Sequence, residues 1–505
     1  MAKNRSINTK YNLIMSFLYQ FLSALINLYI RRLFLKHIGI EFLSFDGFFS
    51  NVIQMLCLLD FGIGTSAIYY MVKAYAANDE EEIKATYKAF NLLYKVVGLL
   101  LCIFGALVCY KIDWFVEIGN YELNFIRIIF VIIFIRSVIY YLTGTAKMAL
   151  LCNQQNYINM FINIICLFAF AIVKFFVVSY SENYIFYLIT ILLESLSINL
   201  LAIIVFNKQT GKINVEKNRL VSKIKDIFDY GKKVALVNVN QFVFNSTDNL
   251  VINYCLGIRY IGFMSNYYLI CNSVQLFATQ VLESANASIY NFINDKTRKT
   301  SYDQLFNTVN FISFCIGIFC VVGLFGITDE FIGIMYGKEY VLDKGVILLM
   351  VLNIMIVLFQ SPLTAFSTGA GIVNKESRYA VLVSIINLSI SIICSYIIGI
   401  HGILLGTLVA NMVLLVGKQK IVFGTLNMDS KKYIGNITKY IIVVVLTIGF
   451  IYYVLPSNCE TIIQLLIRCI ECGMILIIDI LLFFRNEGFI QTLNLIKTFL
   501  GIGKR

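Results

Sequence analysis

Of 505 residues, only two are proline, one is tryptophan and two, His37 and His401, are histidine, and charged residues make up 14%. So little proline excludes proline-rich linkers and repeated proline breaks in helices. So little histidine leaves almost no material for histidine metal sites or histidine-based catalysis, and neither a metal nor a bound organic cofactor is expected. The charge content is well below the roughly 25% of soluble domains, too low to solvate the several polar surfaces that a chain of this length would present in water. Long polar loops are scarce too, which leaves no room for a folded soluble domain on either side of a membrane.

What the chain has in abundance is apolar sequence, 59% of residues with a mean hydropathy of +0.80. A membrane-spanning helix needs about 20 predominantly apolar residues. Fourteen such stretches are predicted, near 12–31, 47–72, 91–110, 123–144, 157–180, 184–206, 234–256, 262–290, 304–326, 346–370, 379–398, 401–417, 436–455 and 462–484. They are long and continuous, so the expected fold class is an all-α polytopic membrane protein and not a barrel of short alternating strands. The thirteen cysteines lie almost entirely in these runs and read as small apolar residues; the one C-x-x-C, Cys469 and Cys472, is itself inside a span. The N-terminal apolar stretch is too long for a cleaved signal and reads as a retained first span.

Loop charges orient the chain. With the N-terminus inside, 28 of the 41 Lys and Arg residues fall in cytoplasmic segments and 7 in external loops; with the acids included, the two faces carry +16 and −4. The net charge of +12 therefore reports topology, with both termini cytoplasmic, and gives no support to nucleic-acid binding. Residues 1–206 are expected to form one six-helix bundle, 207–233 a basic cytoplasmic linker, 234–425 a second six-helix bundle, 426–484 two extra spans, and 485–505 an amphipathic tail along the inner membrane surface.

The two bundles read as a duplication. At an offset of 218 residues, GIEFLSF (Gly39 to Phe45) falls on GIRYIGF (Gly257 to Phe263). The same offset superposes two polar stripes: Gln20 on Asn238, Ser23 on Gln241, Asn27 on Asn245 and Arg31 on Asn249. Steps of three and four put each set on one helix face. A third stripe on the eighth span contains Asn272, Gln275, Thr279 and Glu283. Rows of amides facing hydrocarbon are costly, so each stripe either glues helices together or lines a hydrophilic cavity, as in transporters built from repeats. Charges inside spans carry the same implication: Asp60, Arg127, Arg136, Asp248 and Glu283 are expected to line a cavity or to form structural ion pairs, whereas Lys95, Lys174, Lys439 and Asp479 lie near span ends and are expected to snorkel. Arg468 and Glu471, at i and i+3, are expected to pair.

The run IGIEFLSFDGFFSNVIQMLCLLDFGIGTSAIYYMVKAYAANDEEE resembles the second-helix region of Wzx-type polysaccharide repeat-unit flippases. These belong to the multidrug/oligosaccharidyl-lipid/polysaccharide (MOP) exporter superfamily. The shared features are the turn Ile38 to Glu41, the run Asp60-Phe61-Gly62 through Ala67 and Tyr69, and the acidic loop Asp79 to Glu82. LGIRYIGFMSNYYLI and INLSISIICSYIIGIHGILLGTLVAN are similar to later segments of that family, and Ser44 departs from its usual glycine. The resemblance implies two pseudo-symmetric six-helix bundles around a central cavity, MATE-like, with two C-terminal helices added. It also implies translocation of undecaprenyl-diphosphate-linked oligosaccharide across the cytoplasmic membrane by alternating access, coupled to H⁺ or Na⁺, without enzymatic chemistry. The implied partners are the lipid-linked glycan, membrane lipids and other polysaccharide assembly proteins. On that reading Arg31, Arg32, Arg127, Arg136 and Arg259 are the candidate cations for the diphosphate. Gln20, Asn27, Asn238, Gln241, Asn245, Asn249, Asn272 and Gln275 are the candidate sugar contacts, and Asp60, Asp248 and Glu283 the candidate coupling acids. The rivals are a cation-coupled drug or metabolite exporter of the same superfamily and a membrane polysaccharide polymerase. Several arginines with amide rows count against the first, and short external loops against the second.

Overall fold

The computed structural model describes residues 2–115, 121–211, 213–294, 301–372, 377–455 and 459–499. Among the described residues the regular structure is entirely helical. The chain divides into two compact units, Met1–Ser265 and Asn266–Arg505.

The first unit contains α1 (Ala2–His37), α2 (Ile40–Leu56), α3 (Ile63–Ala77), α4 (Glu80–Tyr110), α5 (Leu123–Thr143), α6 (Thr145–Cys152), α7 (Asn156–Phe176), α8 (Tyr184–Thr210), α9 (Lys217–Ser246), α10 (Asp248–Leu256) and the first turns of α11 (Arg259–Glu283). The second contains the rest of α11, α12 (Asn286–Asn294), α13 (Tyr302–Met335), α14 (Lys344–Gly369), α15 (Ser377–Ile398), α16 (Ile400–Leu426), α17 (Ser430–Val454), α18 (Ile462–Leu481) and α19 (Glu487–Phe499). Eleven of the fourteen expected spans are helices long and apolar enough to cross a membrane, so the chain is a multi-pass membrane protein. The other three expected spans fall on α9–α10, α11 and α18, which carry the amide stripes or the ionisable group Arg468, Glu471 and Asp479.

The second expected span, 47–72, is not one helix. A 3₁₀ turn, Cys57–Asp60, follows α2, and the chain passes through left-handed Phe61 (φ 47°) and Gly62 (φ 75°) before α3 begins. At Gly62 a side chain would also meet the Gly231 carbonyl on α9 at 2.8 Å, so glycine is required there twice over. The interval 207–233 is mostly helical: α9 starts at Lys217 and packs on α3 and α4, and this packing carries the compact unit past that interval to Ser265. Ser66 Oγ donates to the Ile227 carbonyl at 2.6 Å, and Tyr69 stacks on Tyr230 at 4.8 Å. Arg219 pairs with Asp79, Glu81 and Glu82, and Lys223 with Glu82 and Asp226. Desolvation lowers the Lys223 pKa, but hydrogen bonds to Glu82 and Asp226 more than offset it and leave it raised. In the second unit, α15 and α16 approach closely because Gly402 and Gly406 lie against the α15 backbone and Ser391. The tail helix α19 packs on α13, with Phe489 against Phe311 at 5.9 Å.

The duplication is visible in the backbone. Gly39 (φ 104°) and Gly257 (φ 93°), equivalent at the 218-residue offset, both take a positive φ that precedes a helix start. Ser44 and its equivalent, Gly262, face each other: a side chain at Gly262 would meet Ser44 Oγ at 2.6 Å and the Ile40 carbonyl at 2.8 Å. The absence of a side chain at 262 is what allows α2 and α11 to approach this closely, so one member of the pair can carry a hydroxyl only because the other is glycine.

Candidate substrate-binding site

Three helices of the first unit converge on a charged group. Asp46, on α2, lies within electrostatic reach of Arg136 on α5 and Arg31 on α1. Tyr187, on α8, lies within reach of the same three residues and of Glu194. Arg31 Nη1 donates to Ser265 Oγ at 2.8 Å. Arg136 is exposed, while Asp46, Arg31 and Tyr187 are half-buried, so the group is open on one side. The residue after Asp46 is Gly47, and a side chain there would strike Ile261 at 2.7 Å and approach the Asn249 amide at 3.9 Å. This brings α10 and α11 up against α2 next to Asp46. Asn249 Oδ1 is buried and has no hydrogen-bond partner among the described residues.

The α1 stripe serves two purposes. Asn12 is glue, donating to the Gln154 carbonyl at 3.0 Å and accepting from the Tyr157 backbone N–H at 2.7 Å, which ties α1 to the start of α7. Further along, Asn27 Nδ2 donates to Ser23 Oγ at 3.0 Å on an exposed face, and Gln20 Oε1 is buried without a hydrogen-bond partner among the described residues. Beside this stretch, Lys174 on α7 and Glu194 on α8 form an ion pair of 2.6 Å, with side chains 12% and 15% exposed. Lys174 was expected to snorkel; a buried carboxylate in reach holds it in the protein instead. Asp479 likewise is not at a lipid boundary but accepts from Thr447 Oγ1 at 2.9 Å, and Arg468 pairs with Glu471 at 3.8 Å while donating to the Gly326 carbonyl.

Asp60 lies elsewhere, at the break between α2 and α3. Its carboxylate accepts from the Gly64 N–H at 3.2 Å, at the N-terminus of α3 where the helix dipole favours negative charge. Tyr94, Tyr140, Tyr141 and Cys57 are within electrostatic reach. Gly64 leaves the space into which the Tyr94 hydroxyl and the Asp60 carboxylate both project.

The remaining expected site residues are dispersed. Arg127 donates to the Tyr110 carbonyl at 3.0 Å and so closes the last turn of α4. Arg32 is exposed one position after Arg31, and Arg259 is exposed with its guanidinium over Phe263 at 5.7 Å. Asp248 opens α10, half-buried. In the second unit, Asn272 is exposed and Gln275 half-buried on α11, and Glu283 is exposed at its end. The side chains of Asn238, Gln241 and Asn245 lie outside the described residues. Sequence reasoning missed Asp46, which stands one residue before the expected second span, and the tyrosines around Asp60 and Asp46. An acid followed by glycine at a span edge is the only local signal for Asp46.

A family model described as a polysaccharide biosynthesis protein matches residues 57–343, more than half of the chain. No curated protein matches the sequence. Solved structures share the fold at low identity. The lipid II flippase MurJ, in an inward closed conformation, is 16% identical with a TM-score of 0.68, covering 94% of this chain and 98% of its own. An inward-facing multidrug resistance MATE transporter of the MOP superfamily is 15% identical with a TM-score of 0.59, covering 83% and 99%. The eukaryotic MATE transporter AtDTX14 is 15% identical with a TM-score of 0.56, covering 83% and 96%. With a helical fold shared with a flippase and with drug transporters, and a family match over most of its length, the chain belongs to the polysaccharide biosynthesis protein family.

Proposed function

We propose that the chain is a flippase that moves a polyprenyl-diphosphate-linked oligosaccharide from the cytoplasmic to the outer leaflet for surface polysaccharide assembly, with both termini cytoplasmic. The observation that carries this reading is the approach of Arg31 and Arg136 to one open site around Asp46. A diphosphate needs more than one cation, and arginine offers planar, multidentate contacts to phosphate oxygens. Asp46 offsets the charge of the two guanidinium groups when no substrate is bound, and an incoming diphosphate takes over that role. Gln20, Ser23 and Asn27 on the same face of α1 supply amides and hydroxyls for sugar. A polymerase would need a catalytic constellation, and the site contains a charge-pairing group instead. A drug exporter would not need paired arginines.

Directional transport needs a group whose occupancy differs between two conformations. Asp60 suits this role, because its carboxylate stands at a helix break and among tyrosine hydroxyls, where protonation or a bound Na⁺ changes what holds α2 to α3. The test is surface polysaccharide output in a strain that carries Arg136→Ala or Asp60→Asn. Both variants are expected to reach the membrane at normal abundance, to lose the surface glycan and to accumulate its lipid-linked precursor on the inner leaflet. Normal output from Arg136→Ala overturns the diphosphate assignment.

A further inference from the structure

A second cationic feature of the first unit lies outside the Asp46 group. A groove of about 750 Å³ runs beside α4, with Lys88, Asn91 and Lys95 along it and Thr143 and Asn207 opposite, from the ends of α5 and α8. Steps of three and four place the three α4 residues on one helix face. No acidic residue lines the groove, and among the described residues no carboxylate pairs with Lys88 or Lys95. Several other cations of this unit are matched with acids: Lys84 with Glu80 at 3.4 Å, Lys174 with Glu194 at 2.6 Å, and Lys223 and Arg219 with Glu82 in the first turn of α4. Two lysines left unmatched beside two amides make a site for an anion with several acceptor oxygens.

The surroundings indicate what carries that anion. Leu92 lies between the two lysines on the exposed side of α4, and Val96, Leu99 and Ile103 continue that side past them; the four are 40%, 53%, 65% and 59% exposed. A ligand with its charge at Lys88 and Lys95 can therefore lay a hydrocarbon chain along about the next two turns. The charged end is toward the start of α4 and the ends of α5 and α8. On the orientation proposed above, that is the cytoplasmic leaflet.

We propose that this groove binds the phosphate of a lipid headgroup, on the outer wall of the first unit and separate from the Arg31–Arg136 site. Two lipids share this chemistry, the anionic phospholipid of the bilayer and the polyprenyl diphosphate that the flippase handles. The inference rests on the functional reading only for the leaflet and for the second of these sources.

The test is a binding titration on the full-length protein in phosphatidylcholine nanodiscs, with phosphatidylglycerol in one arm and undecaprenyl diphosphate in the other. Each lysine near a lipid surface contributes a moderate attraction to anionic lipid, so K88Q/K95Q is expected to weaken binding about 10- to 30-fold. K88R/K95R keeps the charge and is expected to bind as the wild type does, which separates lost charge from lost fold. Higher salt is expected to weaken the wild type and leave K88Q/K95Q little changed. Loss confined to the phosphatidylglycerol arm assigns the groove to bilayer lipid, loss confined to the diphosphate arm to waiting substrate, and loss in both to phosphate alone. Equal binding by wild type and K88Q/K95Q in both arms overturns the proposal, as does equal weakening by the arginine pair. Repeating the titration on Arg136→Ala keeps this outcome apart from the flippase reading, since the groove does not include Arg136.

Discussion

The two units treat polar groups inside the membrane in opposite ways. In the first, the membrane helices carry ionisable side chains: Arg31, Asp46 and Arg136 around an open site, and Lys174 paired with Glu194. In the second, most are uncharged and satisfy one another. Gln360 Nε2 donates to the Asn411 carbonyl at 3.0 Å, Asn411 Nδ2 donates to Asn353 Oδ1 at 2.7 Å, and Ser391 Oγ donates to Asn387 Oδ1 at 3.1 Å, all on buried faces of α14, α15 and α16. The most apolar stretch of α13 is 67% buried and that of α1 only 6%. The buried polar network of the second unit acts as glue, specifying which helices pack together. The charged group of the first unit is open on one side instead, as the proposed diphosphate site requires.

That contrast can be broken by mutation. The largest stability effect is expected at the covered pair of the first unit. Lys174→Ala leaves Glu194 without its cation and is expected to cost about 3–5 kcal/mol, whereas replacing both residues with apolar ones of similar size restores most of it; thermal unfolding of the purified variants measures both. Next is Arg136→Ala, expected to lower translocation in a reconstituted flipping assay about 100-fold, equivalent to about 2.7 kcal/mol, with the melting temperature unchanged. Arg136→Lys is expected to recover only part of that loss, since an ammonium group lacks the bidentate geometry. In the second unit the pattern should invert. Asn411→Ala, by stranding buried amides, is expected to cost about 1–3 kcal/mol of stability with the transport rate per folded molecule unchanged. A variant that loses transport without losing stability there would undo the comparison.

The smallest effect concerns the loop before α14. Asp343 accepts from the Gly345 N–H at 2.8 Å and from His401 at 3.1 Å, and chiefly the Gly345 hydrogen bond holds its carboxyl below the ordinary range. A depressed folded-state pKa adds stability that is fully present above the unfolded value and is lost as pH falls through the folded one. Asp343→Asn, which keeps a cap acceptor and loses only the charge, should therefore remove at most about 0.5 kcal/mol at neutral pH, and less as pH falls through the lowered carboxyl value, as read by unfolding across that range.

Much of the architecture was legible because a bilayer makes it so. Apolar length reports a span almost directly, and all fourteen expected spans fall on helices, though three of them, 47–72, 234–256 and 262–290, are interrupted. The interruptions were less legible. Nothing about Asp60-Phe61-Gly62 read alone shows two consecutive left-handed residues, or that α9 approaches at Gly231 and leaves no room for a side chain at 62. The polar stripe of α1 was legible as a stripe, but its division into glue at Asn12 and an open face at Asn27 depends on where α7 begins. Of the five candidate arginines, Arg31 and Arg136 come together, and Arg127 closes a helix end. Sequence spacing within a helix carries no information about which helices become neighbours.

By itself, then, the sequence determined that this protein lives in a membrane, that its apolar stretches are helices and that segments of it repeat, because burial of apolar length and the 218-residue periodicity are properties of one chain read in order. Only the tertiary structure decided which intramembrane charges neutralise one another and which stay open. Ion pairs such as Lys174 with Glu194, and convergences such as Arg31 and Arg136 on Asp46, join residues from different helices. Electrostatic energy depends on distance in space, which helix packing sets.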